Sequence, residues 1–293
     1  MTLSLQLFQK VLGLDRHGYF PRPQESLEEF IRSGPNSFND TSTLLTHPPE
    51  LVSHFWMCFS LDVRSLPVEV SKKGILPWEP ACCWVDKEGK SFIRIRPFDE
   101  HRIVSRNAVL AHEFVHALRS RLFSNHFEEM CAYTAASELF PKDFPKWRTW
   151  LSPLFSSAKE FMFTFCWMIG CWALPWIIDR EFSPLLLLVL SLSPLILFTV
   201  RLTLRWNKWN TARKVLSSIN EKGALPLLLR LADEDINWLS RQTLKGFPAA
   251  LKERTSKEWR WSFFKEAFLT TLQTVIQEEI LNPGPISSSE HLS

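Results

Sequence analysis

Two apolar runs, back to back, constrain this chain more than any other feature. Phe161–Ile178 and Phe182–Val200 are each uncharged and close to the ~20 residues that a helix needs to cross a bilayer core. Only Asp179, Arg180 and Glu181 separate them, so the chain must turn straight back, and the expectation is a transmembrane hairpin with spans at 161–178 and 182–200. Pro175, Pro184 and Pro194 are poor residues for a soluble helix, whereas membrane helices tolerate proline where neighbouring groups satisfy the freed carbonyls. The alternative is a pair of buried core helices in a soluble protein. Lys142, Lys146, Arg148 and Lys159 precede the first run, and Arg201, Arg205, Lys208, Arg213 and Lys214 follow the second, against Arg180 alone in the link. Basic residues collect on the cytoplasmic side, so a two-span membrane protein with both termini cytoplasmic is expected. Trp147, Trp150, Trp206 and Trp209 stand where interfacial anchors belong.

The rest of the chain, 293 residues in all, is long enough for one sizeable domain plus additions. A net charge of +3, with no basic stripe outside the flanks of the apolar runs, argues against nucleic acid as a partner. Six scattered cysteines show no CxxC spacing, which excludes a redox pair or a second metal of that type and fits a reduced environment. Leu3 to Leu14 has no basic leader, continuous apolar core or small-residue cleavage site, so no cleaved signal peptide is expected.

Prolines break residues 1–100 into short elements. Cys83–Val85 and Ser91–Arg96 flank a Gly-containing turn and read as a β-hairpin. From Asn107 to Phe123 the spacing becomes helical, with Leu110, Phe114, Leu118 and Leu122 on one face, and a second helix over 127–139 ends before Pro141. Beyond the apolar runs, Thr255 and Glu258 form a capping-box pattern ahead of an amphipathic stripe of Trp261, Phe264, Phe268, Leu272 and Val275. That stripe requires a partner surface, in this chain or another protein. Residues 283–293 have the composition of a disordered tail.

The chemistry concentrates in His112-Glu113-Phe114-Val115-His116. Histidines four apart on a helix project from one face and can share a zinc ion, and Glu113 beside them can serve as general base for a water that the metal activates. This is the equipment for hydrolysing a peptide bond without a covalent intermediate. A catalytic zinc takes a third protein ligand, for which His126, Glu128, Glu129 and Glu138 are the downstream candidates. A turn near Ser124-Asn125 brings the start of the second helix back to His116. Glu128 and Glu129 then both come within reach, about 100° apart around the axis, so one of them faces the metal.

Val109 to His116, followed by Glu129-Met130-Cys131-Ala132-Tyr133 and Ala136 to Pro141, resembles the gluzincin metallopeptidases, and most closely the ImmA/IrrE-type pattern of an HExxH helix followed by a Glu-x-x-Ala helix. The resemblance covers residues 109–141 only. It implies zinc held by His112, His116 and Glu129, with Glu113 catalytic. Twelve residues separate His116 from Glu129, fewer than in many relatives, which leaves Glu128 and His126 open as ligands. Tyr133 falls one turn after Glu129, placed either to hydrogen-bond the site or to pack as a half-buried helix residue. The strand at Phe92–Ile95 can line the cleft and pair with an extended substrate, or be structural only.

The expected architecture is α+β: a zincin-like metallopeptidase domain over 1–155, the two-helix membrane hairpin, a helical cytosolic region over 201–282 and the tail. The expected function is a membrane-anchored zinc metallopeptidase acting on a protein or peptide substrate. A second class is an inactive membrane-bound scaffold with a zincin-like fold, whose helical C-terminal region binds a protein partner. Arg106, Arg119 and Arg121 flank the motif too closely for it to lie within a membrane span.

Overall fold

Local capping chemistry starts several helices in the computed structural model, which describes residues 3–34, 47–75, 79–85, 91–97, 105–122, 126–154, 158–178 and 183–270. The Ser4, Ser26 and Ser105 side chains accept backbone N–H bonds and open α1 (Leu5–Arg16), α2 (Leu27–Ser33) and α4 (Arg106–Arg119). Pro49 supplies the first residue of α3 (Pro49–Phe59), where its missing N–H leaves no bond unmade. Between α3 and α4 lie β1 (Val68–Val70), β2 (Ala81–Val85) and β3 (Ser91–Ile95). After α4 come α5 (Glu128–Leu139), α6 (Lys146–Leu151), α7 (Ala158–Ile178) and α8 (Pro184–Ser217). The C-terminal part adds α9 (Glu221–Leu228), α10 (Asp233–Leu239), α11 (Phe247–Lys257) and α12 (Trp259–Phe264). The fold is therefore mixed α+β, mostly helical with one small sheet.

β2 and β3 form the expected antiparallel pair, in register at Cys83 and Ile93, while the turn at 86–90 lies outside the described residues. β1, a three-residue strand behind Pro67, was not expected; it pairs parallel with β3. The sheet order is β1-β3-β2, so β3 is central and both of its edges are taken. Of the two alternatives for Phe92–Ile95, this leaves the structural strand, because a strand with neighbours on both sides has no edge to offer a substrate. Ile93 and Ile95 instead point into the core beneath α4, whose Phe114 meets Phe55 of α3 edge-on at 5.5 Å.

The 34 residues of α8 rise roughly 50 Å, and among the described residues it is the helix that is long and apolar enough to cross a membrane. Its two halves differ. Leu185, Leu186, Val189, Ile196, Leu197 and Val200 are exposed, whereas Leu202, Trp209, Ala212 and Leu216 are buried in the core that includes α4 and α5. α7 is 21 residues long, and Glu160–Ala173 is its apolar stretch. The Trp167 indole N–H of α7 donates to the Leu190 carbonyl of α8 at 2.8 Å, and the link 179–182 lies outside the described residues.

The C-terminal helices pack into the same core as the N-terminal region, which supplies the partner surface that the aromatic stripe requires. Phe263 meets Phe8 at 5.6 Å, Trp259 meets Phe30 at 5.4 Å, and the Trp259 indole N–H donates to the Glu25 carbonyl. Trp261, Phe264 and Phe268 are buried as expected, while Leu272, Val275 and the 283–293 tail lie outside the described residues. The capping-box expectation is corrected. Phe247-Pro248 starts α11 earlier, Thr255 lies inside that helix, and the Glu258 carboxylate is taken by Arg254 and Arg260 rather than by a helix N-terminus. Gly223 lets α9 pass close to the next layer, since a Cβ there would stand 1.9 Å from the Phe268 carbonyl oxygen.

Three buried arginines join these layers. Arg230 donates to the Asp15 carboxylate of α1 at 2.7 Å and to the carbonyls of Phe59 and Pro226 at 3.1 and 2.8 Å. Arg260 grips Asp235 at the start of α10. Arg119, the last residue of α4, sends Nη1 into the C-terminal end of α9, at 2.7 Å from the Leu229 carbonyl, 3.0 Å from Leu231 and 3.4 Å from Leu228. Carbonyls at a helix C-terminus lack intrahelical donors, and the helix dipole favours a cation there. Arg119→Leu is expected to strand these carbonyls in the core and to lower stability by about 3 kcal/mol, read from denaturant unfolding of the full chain in detergent.

Candidate metal centre

α4 is buried almost all round, and its two histidines emerge one turn apart where α5 crosses it. The His112 and His116 Nε2 atoms lie 3.1 Å apart. From α5, Glu129 brings one carboxylate oxygen to 3.5 Å from His112 Nε2 and the other to 3.6 Å from His116 Nε2. Four-coordinate zinc with bonds of about 2.0–2.1 Å spaces its donor atoms about 3.3–3.4 Å apart. Separations of 3.1, 3.5 and 3.6 Å bracket that edge, so these three side chains can hold one metal ion with little movement.

The other candidate ligands fall elsewhere. Glu128 accepts a hydrogen bond at 2.9 Å from Nδ1 of His116, on the far side of the ring from Nε2. In the neutral ring that arrangement would put the proton on Nδ1 and turn the Nε2 lone pair toward His112 and Glu129, making the imidazole a stronger ligand. His126 is exposed, and Glu138 pairs with Arg213 of α8 at 2.9 Å. Tyr133 packs its ring 4.3 Å from His112 and 5.7 Å from Phe144, which limits the rotation of His112. Among the described residues, Nδ1 of His112 is buried with no hydrogen-bond partner, so packing rather than an outer carboxylate orients this ring.

Glu113 is buried behind the cluster, where the Cys83 backbone N–H of β2 donates to its carboxylate. The edge strand thus positions this side chain from below. Burial, only partly offset by His116 and the Cys83 N–H, pushes the Glu113 carboxyl up to about 7. Burial and the neighbouring His116 hold His112 well below the usual imidazole range, in the neutral form that ligates metals. Burial lowers His116 too, but the charges of Glu129, Glu128 and Glu113 outweigh it and bring His116 to about 9. Burial raises Glu129, and the His116 charge opposes this. Two imidazole nitrogens and the Glu129 carboxylate thus meet in one largely enclosed site, a donor set that suits a divalent cation.

What holds α5 in place was not legible. Phe127 precedes its first residue and has no side chain that can cap. The carboxylate of Asp233, on α10, fills the gap by accepting the His126 N–H at 2.8 Å and the Phe127 N–H at 3.4 Å. Trp209 of α8 stacks on Phe127 at 6.5 Å. The available signals were a helix start without a Ser, Thr, Asp or Asn before it, and the acidic run Asp233-Glu234-Asp235 with more cap chemistry than its own helix uses.

No protein-family model matches this chain, nor does any curated protein or any solved structure.

Glu129→Ala is expected to weaken zinc binding beyond the roughly 10- to 100-fold expected of Glu128→Gln, which disturbs only the orientation of His116. Competitive zinc titration ranks the two. Asp233→Ala is expected to loosen the start of α5 by about 1 kcal/mol and to weaken the same affinity, while Asp233→Asn, which keeps an acceptor, retains most of it.

Proposed function

We propose that this chain is a membrane-anchored zinc metallopeptidase of gluzincin type, with His112, His116 and Glu129 as ligands and Glu113 as general base. The observation that carries the reading is the convergence of the three donor atoms at 3.1–3.6 Å, next to the buried Glu113 carboxylate, which the Cys83 backbone N–H holds. Zinc, when bound there, supplies the Lewis acidity that activates a water and polarises the scissile carbonyl.

The remaining work belongs to the chain. Glu113 takes the proton of the attacking water and passes it to the leaving amine, so the peptide C–N bond breaks while the carboxyl and amino products gain the elements of one water. Glu128 keeps His116 in the ligating tautomer, and Tyr133 holds the His112 ring. The intact Glu113 also sets this reading above that of an inactive scaffold, which has no use for a buried base beside its metal.

The anchor in this proposal is a hairpin of α7 and α8, with spans at 161–178 and 182–200 and both termini cytoplasmic. The apolar residues exposed along α8 support it, because a soluble core helix buries such residues. The flanking lysines and arginines support the orientation. The 1–155 region then forms a zincin-like domain, completed by helices from beyond the hairpin.

The full chain purified in detergent is expected to carry stoichiometric zinc and to cleave an unstructured protein in a chelator-sensitive manner. Glu113→Gln should retain the metal and lose roughly 10²- to 10⁴-fold in rate. Wild-type protein without stoichiometric zinc overturns the proposal.

A further inference from the structure

The peptidase reading leaves the substrate unnamed, but α8 sets a distance. It is one uninterrupted helix from its exposed apolar half into the soluble core, so whatever packs on its lower half stands at a set height relative to the upper half. Three contacts mark that height for the opening of α5. Trp209 stacks on Phe127, Lys208 bonds Asn237 at 2.9 Å, and Asp233, one turn earlier on α10, caps the His126 and Phe127 amides. Glu129 follows two residues after Phe127. From Val200, the last residue of the apolar run, to Trp209 is about nine residues, or roughly 13 Å along the helix axis.

A second set of contacts brings the same site toward the bilayer. Tyr133, against His112, touches Phe144, which leads into α6. α6 is fastened to α8 where the Trp206 indole N–H donates to the Trp150 carbonyl at 2.9 Å. On α6 itself Trp147, Trp150 and Leu151 are 68%, 39% and 44% exposed. Exposed tryptophan at this level is the composition of a surface resting among lipid headgroups.

We infer that the substrates are membrane-spanning proteins, cut in the unstructured segment that emerges next to a span. The inference rests on the metallopeptidase and anchor readings above. An extended chain covers roughly 3.3–3.6 Å per residue, so about four residues are needed to climb 13 Å from the bilayer to the metal. A bond nearer to the span than that cannot reach the site. Bonds much farther along can reach it, but the effective concentration of a tethered segment falls roughly as the −3/2 power of tether length. Cleavage should therefore rise sharply past about four residues and decline gradually beyond about a dozen.

The test uses the full-length protein in proteoliposomes with a single-span polypeptide whose exposed 40-residue segment is an unstructured mixed-sequence library, and cut sites are mapped by mass spectrometry. Cuts are expected to cluster about 4 to 12 residues from the span, and the same segment released from its span should be cut at least about tenfold more slowly. Cuts spread evenly along the segment, or equal rates for the tethered and released forms, overturn the inference while leaving the peptidase reading in place. No zinc-dependent cutting of either form, with Glu113→Gln as the blank, overturns both. Recovery of the protein in the lipid-free fraction on flotation removes the anchor on which the distance depends.

Discussion

The burial of the Arg119 guanidinium against the end of α9 is the contact around which the rest of the molecule is arranged. A charge taken out of water must be repaid by hydrogen bonds, and here the acceptors are carbonyls that a helix terminus leaves unpaired. Each group resolves the other's deficit, so neither can be moved alone. Because Arg119 is three residues beyond His116, this exchange fixes the end of α4 and with it the direction in which both histidines project. Asp15–Arg230 and Asp235–Arg260 repeat the arrangement in neighbouring layers, each joining segments far apart in sequence.

α8 belongs to two environments, and its composition changes where they meet. Above Val200 most of its leucines and valines are exposed, while Leu187 and Phe198 are buried. Below that point Leu202, Trp209, Ala212 and Leu216 turn inward at helical spacing, and Arg213 reaches α5. The lower half is therefore a structural member of the region that carries the candidate metal site as well as the base of the proposed anchor. Its aromatic contact with Phe127 meets α5 at the end that carries Glu128 and Glu129.

Sequence alone was most informative where the physics is local. Histidines four apart, the apolar spacing from Asn107, and a strand-turn-strand pattern all depend on neighbours within a few positions, and α4, α5 and the β2–β3 pair appear accordingly. The strength of the Thr255/Glu258 pattern was misleading for a related reason: a cap depends on which donors compete for the carboxylate, and Arg254 and Arg260 take it. The central position of β3, the docking of α12 on α1 and α2, and the Asp233 cap are pairings across long stretches of chain, for which periodicity carries no signal. The choice between Glu128 and Glu129 belongs to the same group. Both sit at the start of one helix, and only the crossing angle with α4 turns one toward Nε2 and the other toward Nδ1.

The Arg119–Leu228 contact spans 109 positions of sequence, which gives the molecule a timetable as well as a shape. At typical rates of synthesis, roughly 5 to 20 s pass between the emergence of Arg119 from the ribosome and that of its acceptors. α7 and the apolar half of α8 are made within that interval. Until it ends, α4 lacks its contact with the end of α9, and the segment entering α5 lacks its hydrogen bonds to Asp233. The contact that ties the end of α4 to α9 can thus form only after the long apolar segments of α7 and α8 have been made, although α4 and α5 themselves are made before those segments.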